Sequence, residues 1–194
     1  MQKSWNLYQM QLLQKKHDLK FHQDIFHLPY EDRMRHYVSH YAKYIGRFAE
    51  ASSKRDELLS MFAKTYTDTF IINLCASDVC NLNLDERMQE SFGRSSKTLM
   101  GYASYVKSQP MDLEEMRDWA INSLAKPTGR MSKALEDLDH LKPPTGFNSI
   151  LNDGVVDIMR MVLIGSNYLT RYMDFDIINS SLKRWKELEE RRIL

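Results

Sequence analysis

The chain has 194 residues, of which 43% are hydrophobic and 11% aromatic, enough for one domain or for two small repeats that share a core. Its 27 basic and 26 acidic residues leave a formal charge of +1, which excludes the strong positive field of typical nucleic-acid-binding or membrane-surface proteins. The sequence has no apolar run near the ~18 residues that a membrane span needs and no N-terminal targeting pattern. We therefore expect a cytoplasmic protein that binds neither nucleic acid nor membrane.

Residues 1–28 are predicted to form an N-terminal helical extension. Its apolar face is predicted from Trp5, Tyr8, Leu12, Leu13, Leu19, Phe21 and Phe26. The first three of these residues form a stripe at the free end, which is expected either to bind another protein or to make an ordinary core contact. Three histidines, His17, His22 and His27, recur every five residues, a spacing that turns about 140° around a helix at each step. They are predicted to be solvated or boundary residues that do not share a face.

The next helix begins near Pro29, with Glu31 and Asp32 at the positive end of its dipole. His36 and His40 lie four residues apart on it, a spacing that allows two imidazoles to share a metal ion. Because no third ligand is obvious nearby, ordinary core or surface histidines are the more common explanation of this pair.

Polar residues at 52–56 are predicted to end that helix and to cap another, whose wide apolar stripe predicts the most buried helix of the first half. Cys75 and Cys80 on it point in different directions, so no disulfide between them is expected. A further helix is predicted over 85–107, with an interruption at 93–96, and residues 108–110 separate the two halves of the chain.

The second half is predicted to begin with a helix capped by Asp112. Pro127 is expected to kink or restart this helix, because proline lacks the N–H that bonds back one turn. A linker at 140–146 precedes a long apolar helix predicted over 149–172, and a charged helix is predicted to start at Asp176. No segment shows sustained period-two alternation, so the fold is predicted to be all-α.

A short motif occurs twice. Residues 42–47 and 125–130 both read AK-xx-GR, and each copy is followed one loop later by an apolar helical segment that is opened by an aspartate, Asp68 in the first and Asp157 in the second. This pattern predicts two repeats, residues 29–108 and 109–194, that share one core about a pseudo-twofold axis.

The order of these helices resembles the MazG-like all-α nucleoside triphosphate pyrophosphohydrolases, which include the dimeric-type dUTPases and the dCTP pyrophosphatases. The resemblance covers about residues 36–90 and 118–191, with the stretch 183–191 its clearest part after the repeats. It implies a helical bundle, a Mg²⁺ cofactor and cleavage of a nucleotide to its monophosphate and pyrophosphate. In that family an ExxE pair and an ExxD pair on two packed helices supply oxygen ligands to the metal ion.

Most of the matching positions in this chain lack a carboxylate. The eight positions that match the family's metal ligands are Tyr44, Arg47, Thr65 and Asp68 in the first copy, and Pro127, Arg130, Gly154 and Asp157 in the second. Only Asp68 and Asp157 remain as metal ligands, and no cofactor follows from the sequence unless nearby acids replace the missing ones. Glu50 and Asp153 are candidate substitutes, although a solvated charged face explains them more simply.

Both copies place an arginine where a ligand carboxylate is expected. Arg47 is therefore predicted to pair with Asp68, and Arg130 with Asp157. Such pairs either hold two helices in register or, together with Lys43 and Lys126, bind phosphate oxygens. Two functions stay open: a non-catalytic binding or assembly module, which the missing ligands favour, and an active Mg²⁺-dependent nucleotide pyrophosphohydrolase.

Overall fold

The computed structural model describes residues 5–50, 54–93, 101–102 and 111–192. These residues contain helices and no β-strand, which confirms the all-α prediction. The helices are α1 Leu7–Phe21, α2 Gln23–Phe26, α3 Tyr30–Ala49, α4 Arg55–Val79, α5 Leu84–Phe92, α6 Leu113–Asp139, α7 Phe147–Leu169 and α8 Ile177–Arg192. No helix in this described part of the chain has both the length and the hydropathy that a bilayer crossing requires.

Four long helices form the centre of the bundle. α3 packs against α4 and α6, and α7 packs against the same two helices, so the four close into a ring. The other faces of α4 are covered by α1 and α8. As predicted, α4 is therefore the most buried of the helices described in the first half, with aromatic residues such as Phe62, Tyr66 and Phe70 fully inside.

A buried amide ties three of these helices together. Asn73 on α4 donates to the Val155 carbonyl on α7 (3.0 Å) and accepts from the Tyr41 hydroxyl on α3 (2.8 Å). Because a buried amide without partners is costly, these bonds favour one register of the three helices.

Local signals in the sequence account for several helix ends. Asp112 caps α6 by accepting from the Glu115 N–H (2.8 Å), and Glu115 accepts in return from the Asp112 N–H (2.9 Å). α5 ends at Gly93, whose φ of 64° suits glycine. The predicted continuation of this helix over 94–100 and 103–107 lies outside the described residues.

Pro127 does not restart the helix that contains it. α6 runs without interruption from Leu113 to Asp139, with Pro127 buried inside it. The missing N–H removes one backbone hydrogen bond, but the packing of α6 on α3 and α7 maintains the helix on both sides.

The predicted apolar face of the N-terminal segment is wrong for three of its seven residues, whereas Trp5 and Leu13 do pack against the core. Tyr8, Leu12 and Leu19 are all more than 40% exposed. The buried face of α1 is instead largely polar and consists of Leu7, Met10, Gln11, Gln14, His17 and Asp18. The helix nevertheless packs on the bundle, mainly against α4.

Candidate functional site

The arginine of the first repeat motif belongs to a partly buried cluster of ion pairs. Arg47 on α3 donates from Nη1 to Asp68 on α4 at 2.7 Å, so the structure contains the pair that the motif predicts. The other carboxylate oxygen of Asp68 accepts from Nε of Arg184 on α8 at 3.0 Å, and Arg184 also pairs with Glu187 (3.1 Å). The side chain of Asp68 is only 9% exposed. Sequence reasoning missed Arg184, which lies 116 residues from its partner.

The second motif forms the same kind of pair in a different environment. Arg130 on α6 lies 2.6 Å from the Asp157 carboxylate on α7, but both side chains are about half exposed, at 52% and 50%. Lys126 is exposed as well. The difference follows from the covering helices, because α1 and α8 pack against α4 and bring Arg184 to the first pair.

The residues present do not fit the magnesium site that the MazG-like resemblance implies. Both oxygens of Asp68 accept from guanidinium groups, and the neighbouring Thr65 offers a hydroxyl that contacts the Met61 sulfur (3.4 Å). In the second copy, Asp157 faces Arg130 and Gly154 has no side chain to offer. Fixed cations therefore stand beside both aspartates, where a metal ion would need further carboxylates.

The two candidate substitute acids lie elsewhere on the surface. Glu50 is exposed at the end of α3. Asp153 is exposed on α7, 3.7 Å from the Arg87 guanidinium on α5 and within 3.3 Å of the Ser149 hydroxyl. Neither acid lines the cavity beside Asp68, so the carboxylates do not assemble into a four-ligand site there.

A polar cavity of about 300 Å³ opens beside the first ion pair. We call it the polar cavity; residues of α1, α2, α3, α4 and α8 line it, and no described residue of α6 or α7 does. Its charged and titratable lining groups are His17, Asp18, His22, Asp24, His36, Tyr37, His40, Lys43, Tyr44, Arg47, Asp68, Cys75 and Arg184. The first motif thus borders this cavity, whereas the second motif lies away from it.

The cations of α3 are gathered around one aromatic ring. Lys43 Nζ and the Arg47 guanidinium lie 5.1 and 5.0 Å from the centre of the Tyr44 ring, and Lys43 Nζ is also 3.0 Å from Nδ1 of His40. Burial, and then the charge of Lys43, lower the pKa of His40 to about 4. Burial and the charge of Arg47 lower the pKa of Lys43 as well. This part of the cavity is therefore electropositive, and His40 is neutral at pH 7.

The metal geometry considered for His36 and His40 is incomplete. Their ring centres are 4.6 Å apart, but within the described residues they do not belong to a group of three close histidine, cysteine or acidic ligands. His40 instead contacts the Tyr44 hydroxyl at 3.2 Å.

Cys75 and Cys80 are free cysteines, as the sequence predicts.

The prediction for the N-terminal histidines is wrong for the burial of His17 and for its separation from His22, whereas His22 is half-buried, as expected of a boundary residue. His17 is buried, and its ring centre lies 5.3 Å from that of His22. The two approach each other because α1 ends at Phe21 and the backbone of His22 leaves the helix (φ −129°, ψ 39°), so the regular 140° step no longer applies. His27 is exposed, as predicted.

A second, more open groove of about 420 Å³ adjoins the ion pair of Asp68 and Arg184. Asp68 and Arg184 line both the groove and the polar cavity. The groove adds three basic residues, Lys64, Lys183 and Arg191, and one acid, Glu187. In this groove the cations therefore outnumber the carboxylates.

Comparison with known proteins identifies one partial similarity. The chain is 28% identical over 130 residues to Protein SEY1 homolog of Trypanosoma brucei brucei, a match that covers 66% of this chain and 15% of that protein. The chain thus corresponds to a small part of this much longer relative. No family model matches the chain, and no solved structure matches it.

Proposed function

We propose that this protein is a MazG-like, internally duplicated helical fold with a degenerate magnesium site, which acts as a non-catalytic binding module for a phosphate-bearing ligand. The observation that carries the proposal is the convergence of Lys43, Arg47 and Arg184 on the polar cavity, around the buried carboxylate of Asp68. The arginines then supply the positive charge that a metal ion supplies in the active enzymes.

The charge balance of this cluster favours an anion. Lys43, Arg47 and Arg184 carry three positive charges beside the two carboxylates of Asp68 and Glu187, and the lowered pKa of Lys43 reflects the cost of holding an ammonium group in a partly buried site near Arg47. A phosphate group would offset that cost and accept several charge-assisted hydrogen bonds. A guanidinium has five N–H donors, more than its contacts with Asp68 use, and it matches phosphate geometry well.

The size and remaining surface of the cavity limit the ligand. A volume of about 300 Å³ is at the lower end of the range for small-molecule pockets. Tyr44, Ile71, Ile72 and Leu188 provide aromatic and apolar lining beside the cations. This combination suits a small phosphorylated molecule, no larger than a nucleotide, with an apolar or aromatic portion.

The duplication is supported by the two ion pairs. In each half an arginine that follows glycine on one helix pairs with an aspartate on the next helix of the bundle. In the second half the pair is exposed, and Arg130 is absent from the lining of the polar cavity. We therefore assign the phosphate-binding role to Arg47 and not to Arg130, whose pair holds α6 and α7 in register.

Isothermal titration with inorganic phosphate, pyrophosphate and nucleoside mono- and triphosphates tests this proposal. Lys43→Gln and Arg184→Gln are expected to weaken binding by about 10-fold or more, because each removes a charge-assisted contact. Arg130→Gln is the matched control, since it removes the same type of pair outside the cavity, and it should change affinity by less than about 2-fold. Absence of binding at millimolar ligand, or an equal effect of Arg130→Gln, would contradict the assignment.

Pyrophosphate release distinguishes the module from the enzyme. Incubation with each nucleotide and Mg²⁺ or Mn²⁺ is expected to give no turnover above the protein-free reaction. Turnover that Asp68→Ala or Asp157→Ala abolishes would show an active pyrophosphohydrolase and refute the non-catalytic role.

A further inference from the structure

We infer that His17, Asp18 and His22, at the end of α1, form a binding site for one divalent transition-metal ion of the Zn²⁺ type. Each residue offers one ligand atom, and the three atoms lie within 4.8 Å of one another. This site uses other residues of the polar cavity than the proposed anion site, and it does not depend on anion binding.

The strongest support for this metal site comes from the surroundings of the His17 side chain. Its side chain is buried, and neither ring nitrogen has a hydrogen-bond partner within the described part of the protein. The nearest carboxylate oxygens, on Asp18 next to Nδ1 and on Glu189 next to Nε2, are both 3.9 Å away, beyond hydrogen-bonding distance. Buried polar atoms are rarely left unpaired, so such a group indicates a missing partner.

A metal ion at Nδ1 supplies that partner. It would lie between His17 and Asp18 and leave the Nε2–H directed toward Glu189. A carboxylate hydrogen-bonded to the second nitrogen of a metal-bound imidazole is a common outer-sphere arrangement, because it fixes the tautomer and the orientation of the ring. Glu189 would have to move closer to Nε2 than its present 3.9 Å to act in this way. Asp18 is itself held in place by Gln14, whose Nε2 donates to its Oδ1 at 2.7 Å.

The ligand types select the metal class. Two imidazoles and one carboxylate suit Zn²⁺ and related divalent transition ions, whereas Mg²⁺ and Ca²⁺ prefer oxygen ligands alone. Three protein ligands leave one tetrahedral position for water. All three residues line the polar cavity, so that position is open to a small molecule.

Binding of the metal ion requires the three side chains to move closer together. Ligand atoms at about 2.1 Å from a tetrahedral ion are about 3.4 Å apart, so the separations of up to 4.8 Å must shorten by an ångström or more. His22 is well placed for this movement, because it lies between α1 and α2 and its side chain is partly exposed.

Titration of tag-free, metal-stripped protein with Zn²⁺, and with Co²⁺ as a spectroscopic probe, tests the inference. We expect one Zn²⁺ per chain and visible Co²⁺ absorption bands typical of tetrahedral coordination. His22→Gln should lower the Zn²⁺ affinity at least 10-fold and remove the Co²⁺ bands. Asp18→Asn should weaken binding in the same direction, with circular dichroism as the check on folding.

Two other histidines serve as controls. His27→Gln changes an exposed histidine close in sequence, and His40→Gln changes the other histidine pair of the cavity. Both should leave the Zn²⁺ affinity within about 2-fold of the unmodified protein. No stoichiometric binding, unchanged affinity in His22→Gln, or a loss in His40→Gln as large as in His22→Gln would overturn the assignment.

Discussion

Asp68 and Asp157 make the same type of ion pair but differ in what surrounds them. Asp68 is almost fully buried between two guanidiniums, whereas Asp157 shares a half-exposed pair with Arg130. Water screens the second pair, while loss of the Asp68 carboxylate would leave two cations facing each other in a partly buried site. The same arginine–aspartate pair therefore has different energetic consequences in the two halves.

Substitution of the two aspartates measures this difference. Asp68→Ala is expected to lower the free energy of unfolding by about 2–4 kcal/mol, because Arg47 and Arg184 lose their shared partner. Asp157→Ala should lower it by about 0.5 kcal/mol or less, as for exposed pairs. Urea denaturation of both variants provides the values, and equal losses would show that the burial of the first pair has no energetic effect.

The lowered pKa of His40 predicts how the stability of the protein depends on pH. Burial holds its folded pKa near 4, below the value of about 6.5 for an unfolded histidine, so the unfolded chain takes up a proton first as the pH falls. The contribution of His40 is complete above about pH 6.5 and is lost between about pH 6.5 and 4. After allowance for its partial exposure, this loss is about 1–2 kcal/mol.

Unfolding of the protein and of His40→Gln at several pH values tests this prediction. The variant should show a shallower fall in stability between pH 6.5 and 4. Burial also lowers the pKa of His36, so a smaller slope of the same sign should remain in the variant. Identical slopes would refute the role of His40.

At the scale of the helix, α1 is attached to the bundle through polar groups. The Gln11 amide donates to the Ser77 hydroxyl (2.9 Å) and to the Leu82 carbonyl (2.8 Å), and it accepts from the Leu84 N–H (2.9 Å). One buried side chain therefore caps the turn between α4 and α5. Gln14 similarly accepts from the Trp185 indole on α8 (2.6 Å).

Substitution of two adjacent residues of α1 distinguishes this polar attachment from the apolar contact that the sequence predicts. Gln11→Ala is expected to cost about 2 kcal/mol, because it leaves a backbone N–H and a carbonyl without their partner. Leu12→Ala should cost less than about 1 kcal/mol, since Leu12 is 42% exposed. Thermal or urea unfolding compares them, and a larger loss in Leu12→Ala would contradict the observed face of α1.

Close helix contact depends on a glycine of α7. A Cβ at Gly165 would collide with the ring of Tyr66, whose Cε1 would lie at 2.5 Å, so α4 and α7 approach closely there. Gly129 lies within α6, and a Cβ added to it would meet no neighbouring atom within 4 Å, although this glycine belongs to the repeated motif.

The two glycines are expected to respond in opposite directions to alanine. Gly165→Ala should destabilise the fold by about 1–3 kcal/mol through overpacking. Gly129→Ala should stabilise it by about 0.5–1 kcal/mol, because alanine favours the helix at an open position. Unfolding measurements on both variants test the packing, and a neutral Gly165→Ala would contradict the close contact.

At the scale of the whole molecule, sequence patterns predicted the individual helices better than the contacts between them. Periodic apolar residues and capping signals such as Asp112 indicated the helices, because these signals are local. The Arg47–Asp68 and Arg130–Asp157 pairs were also predicted, since the repeated motif places both partners on consecutive long helices.

The missed features depend on contacts that the sequence does not encode locally. Arg184 reaches Asp68 only because α8 folds back on α4. The approach of His22 to His17 depends on the break after Phe21, which no proline or glycine signals. Pro127 stays inside a helix because tertiary packing outweighs its local preference.

The most direct test of the proposed anion site is whether the protein binds phosphate without a metal ion. Isothermal titration with inorganic pyrophosphate should be performed in excess EDTA and again in millimolar Mg²⁺. If Lys43, Arg47 and Arg184 replace the metal, binding in EDTA should equal or exceed binding in Mg²⁺, and it should weaken about 10-fold in Arg184→Gln. Binding that occurs only with Mg²⁺ would show that a metal site is intact and contradict the central claim.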